Sequence, residues 1–165
     1  MSKETTPTNT AVELESWLSD IYNKLKEPFT KDALSTDSSR GFDLTSIKAQ
    51  YVVERLNEVV GVGNWRHSGE YVNVEGGVIF KGQLVISNSG IDKTLGTVRE
   101  AVGFSKQGRN VGDAYKGAKT DSLSKCASMF GLGNEVYKGN VAPPSKTVKK
   151  TKAKSTLKAA GNNDF

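Results

Sequence analysis

The sequence predicts an α+β fold in which an antiparallel three-stranded β-meander packs against a long C-terminal helix and follows two other helices. Three observations carry this prediction. Apolar residues recur at helical spacing over two early segments, three segments of alternating apolar residues come next, and the longest amphipathic run, residues 113–131, comes last. A chain of 165 residues with 36% hydrophobic content can form one domain with a substantial core.

The first helix is predicted over residues 11–27. Thr10 and Glu13 match a capping box at its start, and Pro28 ends it. Its apolar face comprises Leu14, Trp17, Leu18, Ile21, Tyr22 and Leu25.

A second helix is predicted over residues 47–60, where apolar residues again form one stripe. Thr45 or Ser46 is suited to cap its start, and Gly61 to stop it. The polar residues 29–42 between the two helices predict a connecting loop.

The three strands are predicted over residues 66–74, 78–87 and 94–104, with glycine-containing turns that favour an antiparallel meander.

The last helix is predicted to begin at Asp113, an N-cap residue, and to stop at Gly131. One of its faces is apolar and the other carries lysines, so Cys126 on the apolar face is predicted to be a packing thiol. Residues 134–138 are expected to form a short edge strand or a docked turn.

Charge and composition divide the chain into three parts. Residues 1–10 are expected to be disordered, residues 11–139 to form the folded domain, and residues 140–165 to form a disordered basic tail. The net charge is −3 over residues 1–46, +3 over residues 47–139 and +5 over residues 140–165. An acidic start, a basic body and a basic tail favour a polyanion partner, and nucleic acid is the leading candidate.

Several classes of function are excluded by what the sequence lacks. No stretch approaches the ~20 apolar residues that cross a bilayer, so no membrane contact and a cytoplasmic location are expected. With Cys126 and His67 as its only cysteine and histidine, the chain offers no metal cluster, and no cofactor is expected. No set of acids, bases and nucleophiles has a spacing that brings it together, so the chain is not expected to be an enzyme.

Binding a single nucleic-acid strand requires cations that follow phosphates and rings on which bases stack. Tyr51, Tyr71 and Tyr115 are candidate stacking residues, although core packing with a solvated hydroxyl is the favoured interpretation for any single one of them. The candidate DNA-binding residues are Lys48, Tyr51, Arg55, Arg66, Lys81, Arg99, Lys106, Arg109, Lys116, Lys119 and Lys125.

The order of elements resembles the DNA-annealing domain of the Rad52 family of single-strand annealing proteins, including its short phage-encoded members. The resemblance covers about three quarters of the chain, from Trp17 to Lys138. Its motifs are the helix that ends in Pro28-Phe29, the turn from Gly61 to Trp65, residues 99–104 of the third strand and, most specifically, residues 116–131 of the last helix.

The resemblance implies a homo-oligomeric ring that holds single-stranded DNA in a basic groove and anneals complementary strands in homologous recombination without ATP. Lys116 and Lys125 occupy basic positions of the family's last helix, whereas Ser124, Ser128 and Tyr51 stand where relatives often carry further basic residues. For a phage-encoded member the location would be the host-cell cytoplasm. The tail, which ends in Asp164-Phe165, is a candidate contact for a single-strand binding protein or a nuclease.

Two other interpretations stay open at the level of sequence. A helix, three antiparallel strands and a helix also describe a double-stranded-RNA-binding module, which carries lysines early in its last helix. The extra first helix and the glycines near Lys116 argue against that module. A partner-binding protein with an incidentally basic tail is the third interpretation.

Overall fold

The computed structural model of the chain describes residues 9–38, 41–88, 90, 92–108 and 110–140. It has the predicted α+β class, with a three-stranded antiparallel sheet, a long helix after it and two helices before it. Residues 1–8 and 141–165, most of the two predicted disordered ends, lie outside the described residues. The elements are α1 (Asn9–Leu25), a 3-10 turn (Lys31–Ala33), β1 (Leu34–Asp37), β2 (Leu44–Ile47), α2 (Ala49–Val59), β3 (Trp65–Val74), β4 (Gly77–Asn88), β5 (Asp92–Lys106), α3 (Val111–Ser128) and α4 (Asn134–Tyr137).

The prediction of a connecting loop over residues 29–42 is wrong. β1 and β2 form an antiparallel hairpin whose register sets Leu34 against Ile47 and Ser35 against Ser46. Leu34 and Ile47 are buried, and the Ser35 and Ser46 hydroxyls are hydrogen-bonded at 2.9 Å. Both strands are short and rich in Ser and Thr, so their alternation carries little hydrophobic signal.

The starts of the first two helices also differ from their predictions. α1 begins at Asn9, which places Thr10 inside the helix, so the predicted capping box is wrong. α2 begins at Ala49, and its N-cap is Lys48, whose side chain makes no capping hydrogen bond. Thr45 and Ser46, the predicted caps, belong instead to β2. The hairpin therefore runs directly into α2.

The start of α3 is fixed by Asn110 and not by Asp113. The Asn110 side chain accepts a hydrogen bond from the backbone N–H of Gly112 at 2.9 Å. Asp113 lies in the first turn, where the helix dipole favours its negative charge. Asparagine and aspartate are about equally good N-caps, so residue type alone does not favour Asp113 over Asn110.

The predicted meander is confirmed, with the strand order β3-β4-β5. Along β4, the side chains of Val78, Phe80, Leu84 and Ile86 lie on the face that α3 covers, and all four are buried. The alternate positions of all three strands point to the opposite face, which no other element of the described part of the chain covers. We call it the open sheet face.

α3 lies close to the sheet because two facing strand positions are glycines. A Cβ atom at Gly82 would overlap the Ser122 hydroxyl and the His67 ring. A Cβ atom at Gly103 would overlap the Ala118 carbonyl oxygen and the Ser122 backbone nitrogen. These contacts fix both the height and the position of α3 over the strands.

α1 and α2 pack against the C-terminal half of α3. Leu25, Val52 and Leu56 are fully buried in a cluster that also contains Leu123 of α3. Cys126 is fully buried in the same cluster, which confirms the packing role predicted for its thiol. Burial raises the pKa of that thiol.

Residues after α3 double back onto the core. Gly131 has a φ of +94°, which confirms the predicted left-handed stop. Residues 134–138 do not form an edge strand; they contain the single turn α4, with Val136 buried. The Glu135 carboxylate accepts a hydrogen bond from the backbone N–H of Phe29 at 3.1 Å, which joins α4 to the segment after α1.

A polar pair lies between α3 and the sheet. The Ser122 hydroxyl donates its proton to the Ala101 carbonyl oxygen at 2.9 Å, so His67 Nε2, 3.2 Å away, donates to the Ser122 oxygen. Burial, followed by the positive charge of Lys119, lowers the pKa of His67 to about 4. The imidazole is therefore neutral at pH 7.

Replacing Gly103 by alanine should lower the free energy of unfolding by about 2 kcal/mol or more, because backbone atoms of α3 would have to move. Gly63→Ala is the matched control, since a Cβ atom there meets no atom within 4 Å. Urea denaturation of both variants measures the difference. Equal stabilities would contradict the close contact.

Acid should destabilise the fold through His67. The pKa of His67 is about 4 in the folded chain and 6.5 in the unfolded chain, so the unfolded chain binds more protons between these values. This contribution to the free energy of unfolding should be complete above pH 6.5 and fall by about 2 kcal/mol as the pH drops toward 4. Denaturation across this range should show that the free energy of unfolding of His67→Gln depends less on pH than that of the unaltered chain. An identical pH dependence would refute the lowered pKa of His67.

Candidate nucleic-acid interface

A cleft of about 550 Å³ lies between the β1–β2 hairpin, the start of α2 and one flank of α3. We call it the hairpin cleft. Two lysines reach it from different elements, and most of its other polar side chains are hydroxyls. Its lining residues are Ser35, Leu44, Thr45, Ser46, Ile47, Lys48, Ala49, Gly117, Thr120, Asp121, Ser124, Lys125, Val136 and Tyr137.

Lys48 comes from the junction of β2 and α2. Its ammonium group donates to the Asp32 carbonyl oxygen and lies 5.9 Å from the centre of the Tyr51 ring. The Tyr51 hydroxyl in turn donates to the Asp32 carboxylate at 2.8 Å. Hydrogen bonds from Thr30 and Tyr51, with a smaller effect of the Lys48 charge, lower the pKa of Asp32. These contacts hold Lys48 and Tyr51 together, although Tyr51 itself does not line the cleft.

Lys125 comes from the opposite wall, on α3. Its ammonium group donates to the Val102 carbonyl oxygen at 3.0 Å and to the Asp121 carboxylate at 2.8 Å. The same Asp121 oxygen accepts a hydrogen bond from the Phe104 backbone N–H at 2.9 Å. These bonds tie α3 to the side of β5 that does not pair with β4.

Between these groups the α3 wall carries the Asp121 carboxylate and the uncharged side chains of Thr120 and Ser124. Thr120 donates its hydroxyl proton to the carbonyl oxygens of Lys116 and Gly117 at 3.0 Å, and Ser124 donates to the Thr120 carbonyl oxygen at 3.0 Å. Because these protons are used within the helix, the hydroxyl oxygens offer lone pairs to the cleft. The charged groups of the cleft are therefore Lys48 and Lys125 at the two rims and the Asp121 carboxylate beside Lys125.

Arg55 has contacts of a different kind. Its guanidinium donates to the carbonyl oxygens of Glu27 at 2.9 Å and Pro28 at 3.5 Å and lies 4.5 Å from the centre of the Phe29 ring. The carbonyl groups just after a helix end lack intrahelical partners, and arginine is a suitable donor to them. Arg55 therefore joins the end of α1 to α2.

Three predicted cations lie on the open sheet face. Lys81 pairs with Glu70 on β3 and Val102 on β5, one position along from the buried Phe80, so it points away from α3. By the same alternation, Arg66 and Lys106 point in the same direction. The open sheet face also exposes the apolar residues Val72, Val74, Val98, Val102 and Phe104.

The remaining predicted cations are divided between other surfaces. Arg99 lies on the face covered by α3, with its guanidinium 5.1 Å from the centre of the Phe130 ring. Lys116 and Lys119 are exposed on α3, and Lys119 lies on the β3 side, where its charge lowers the pKa of His67. Arg109 lies outside the described residues.

Sequence reasoning missed part of the hairpin cleft. Ser35, Thr45 and Ser46 line it only because residues 34–47 form a hairpin, which the sequence pattern concealed. Asp121 was also missed as a residue of this site, although its spacing of four residues from Lys125 is the signal of a helical ion pair.

No three His, Cys, Asp or Glu side chains among the described residues are arranged to hold a metal ion. Within the same ranges, no helix combines the length and the apolar character that crossing a membrane requires.

Fold and cleft together define an α+β domain in which a long helix backs a meander and forms one wall of a lysine-flanked cleft. The model of the Rad52/22 family of double-strand break repair proteins matches residues 18–155, and the chain belongs to this family. The single-stranded DNA-binding protein DdrA of Deinococcus radiodurans is 29% identical over 127 residues, which are 73% of this chain and 56% of that protein. DdrA of Deinococcus deserti is 32% identical over 127 residues, 73% of this chain and 58% of its own length. The chain thus spans little more than half the length of these relatives.

Proposed function

We propose that the chain binds single-stranded DNA in the hairpin cleft and anneals complementary strands without hydrolysing ATP. The observation that carries the proposal is the cleft, with Lys48 on one wall and Lys125 on the other. Family membership and the relatives named as single-stranded DNA-binding proteins favour DNA over other polyanions.

Binding of this kind follows the phosphate backbone. The ammonium groups of Lys48 and Lys125 attract phosphates of any sequence, and the uncharged wall at Thr120 and Ser124 leaves room for the strand between them. Bases turned away from such a cleft stay available for pairing with a second strand. The activity needs no catalytic group, and we place it in the cytoplasm as a step of DNA recombination and repair.

Annealing long strands requires more than one cleft, and we propose that copies of the chain assemble into a ring. The open sheet face supports this proposal, since Val102 and Phe104 expose about half of their surface there. Exposed apolar patches of this kind mark contacts between proteins. A ring would join the hairpin clefts of neighbouring copies into one track.

The predicted DNA-binding residues take different places in this proposal. Lys48 and Lys125 make the first contacts, and Tyr51 lies beside Lys48, whereas the exposed Lys116 does not line the cleft. Arg55 and Arg99 support the walls through their packing. The other cations are not proposed to make the first contact: Arg66, Lys81 and Lys106 lie on the open sheet face, Lys119 lies on the other flank of α3, and Arg109 lies outside the described residues.

Single charge removals in the hairpin cleft should weaken binding to a labelled oligothymidine. Lys48→Gln and Lys125→Gln should each raise Kd about fivefold or more at low salt and reduce the slope of log K against log salt by at most about 0.7, the value for one phosphate contact on a single strand. Lys24→Gln removes the same charge from the exposed surface of α1 and should change neither quantity. Fluorescence anisotropy over a salt series measures both Kd and the slope of log K against log salt.

Annealing should proceed without nucleotide. Two complementary labelled oligonucleotides mixed with the chain should pair faster than alone, and Lys125→Gln should slow this reaction. A double-stranded RNA competitor should not inhibit it, because the cleft is assigned to an unpaired strand. Preferential binding of the duplex RNA would favour the double-stranded-RNA-binding interpretation, and a rate unaffected by the chain would refute annealing.

A further inference from the structure

The hairpin cleft contains a carboxylate where a polyanion is proposed to bind. Asp121 is the only acid among the described residues that line it. A negative charge at this place repels phosphate, so its presence calls for a physical reason. Its contacts supply one.

Asp121 and Lys125 form a compact unit on the surface of α3. One oxygen of Asp121 accepts hydrogen bonds from both the Lys125 ammonium at 2.8 Å and the Phe104 backbone N–H at 2.9 Å. The ammonium also donates to the Val102 carbonyl oxygen at 3.0 Å. A lysine has three N–H donors, and two of them are used here. Lys125 is thus already paired before any ligand arrives.

We propose, on the basis of the function proposed above, that Asp121 is a positioning residue that serves as a built-in counter-ion for Lys125, and that a DNA phosphate replaces it on binding. The pair holds the ammonium group at the rim of the cleft and keeps it from extending into solvent. When a phosphate enters, Lys125 turns from one anion to another.

The exchange is energetically easy because the pair is exposed. The side chains of Lys125 and Asp121 keep 47% and 37% of their surface accessible, and exposed ion pairs of this kind are weak. Asp121 retains its bond to the Phe104 N–H when Lys125 leaves, so the strand and helix stay joined. The cost of releasing Lys125 is small compared with a phosphate contact in the same place.

The exchange leaves a signature in the salt dependence. A free lysine that binds phosphate causes a solution ion to be released from the DNA, which adds about 0.7 to the slope for a single strand. A lysine that must first leave an internal carboxylate adds less to this slope. Salt screens the internal pair as well as the DNA contact. The carboxylate therefore makes binding both weaker and less sensitive to salt.

The test is Asp121→Asn, which removes the charge and keeps an oxygen that accepts from the Phe104 N–H. Asp113→Asn is the matched control, because it removes the same charge from the first turn of the same helix, away from the cleft. With oligothymidine as the probe, Asp121→Asn should lower Kd about fivefold at low salt and steepen the salt slope by up to about 0.7, while Asp113→Asn should change Kd less than about twofold.

A second arm repeats the substitution in a chain that carries Lys125→Gln. In that chain Asp121→Asn should no longer lower Kd substantially, because the two residues act on the same phosphate. Asp121→Glu, which restores the charge, should return the salt slope toward its original value. If Asp121→Asn folds poorly by circular dichroism, Asp121→Ser removes the same charge with a smaller side chain and should give the same gain.

The outcomes separate the two proposals. If the unaltered chain fails to bind oligothymidine, the proposed function falls, and this inference falls with it. If the unaltered chain binds but Asp121→Asn binds no more tightly than Asp113→Asn, Asp121 has only its structural role and this inference alone is overturned. If Asp121→Asn lowers Kd equally in chains with and without Lys125, this inference is likewise overturned, because the tighter binding would then come from the change in net charge.

Discussion

The close contact between α3 and the meander is the constraint on which the other features depend. Gly82 and Gly103 let the helix backbone approach the strands to a distance that no side chain would allow. Because α3 sits so low, Asp121 and Lys125 reach the backbone of β5, and one flank of α3 becomes a wall of the hairpin cleft. Packing in the core thus places the charged groups on the surface.

The same geometry separates the cations that the sequence appeared to offer as one set. Lys119 lies on the β3 side of α3 and Lys125 on the β5 side, while Lys81 points away from the helix altogether. A helix on a sheet has two flanks and the sheet has a second face, so basic residues that are close in sequence serve different surfaces. In the proposed function, only the flank that faces the hairpin cleft makes the first contact with DNA.

The sequence predicted the features that repeat over many residues. The first two helices and the strand alternation around Phe80 carry strong periodic signals, and Gly131 carries a clear stop signal, whereas the apolar period of α3 is weak. The β1–β2 hairpin was missed because Ser35, Thr45 and Ser46 give no apolar alternation, and its pairing depends on the burial of Leu34 and Ile47 against distant elements. The cleft could not be assembled from sequence, because one of its walls is this hairpin.

The buried thiol beneath the sheet offers a natural reporter of motion. Cys126 is the single cysteine of the chain, and its sulfur lies 3.7 Å from the Gly82 carbonyl oxygen at the contact between α3 and β4. A thiol-specific dye can reach it only when the helix lifts from the strands, and its raised pKa slows the reaction further. The labelling rate of the unmodified chain therefore measures how often this interface opens, with no engineered probe.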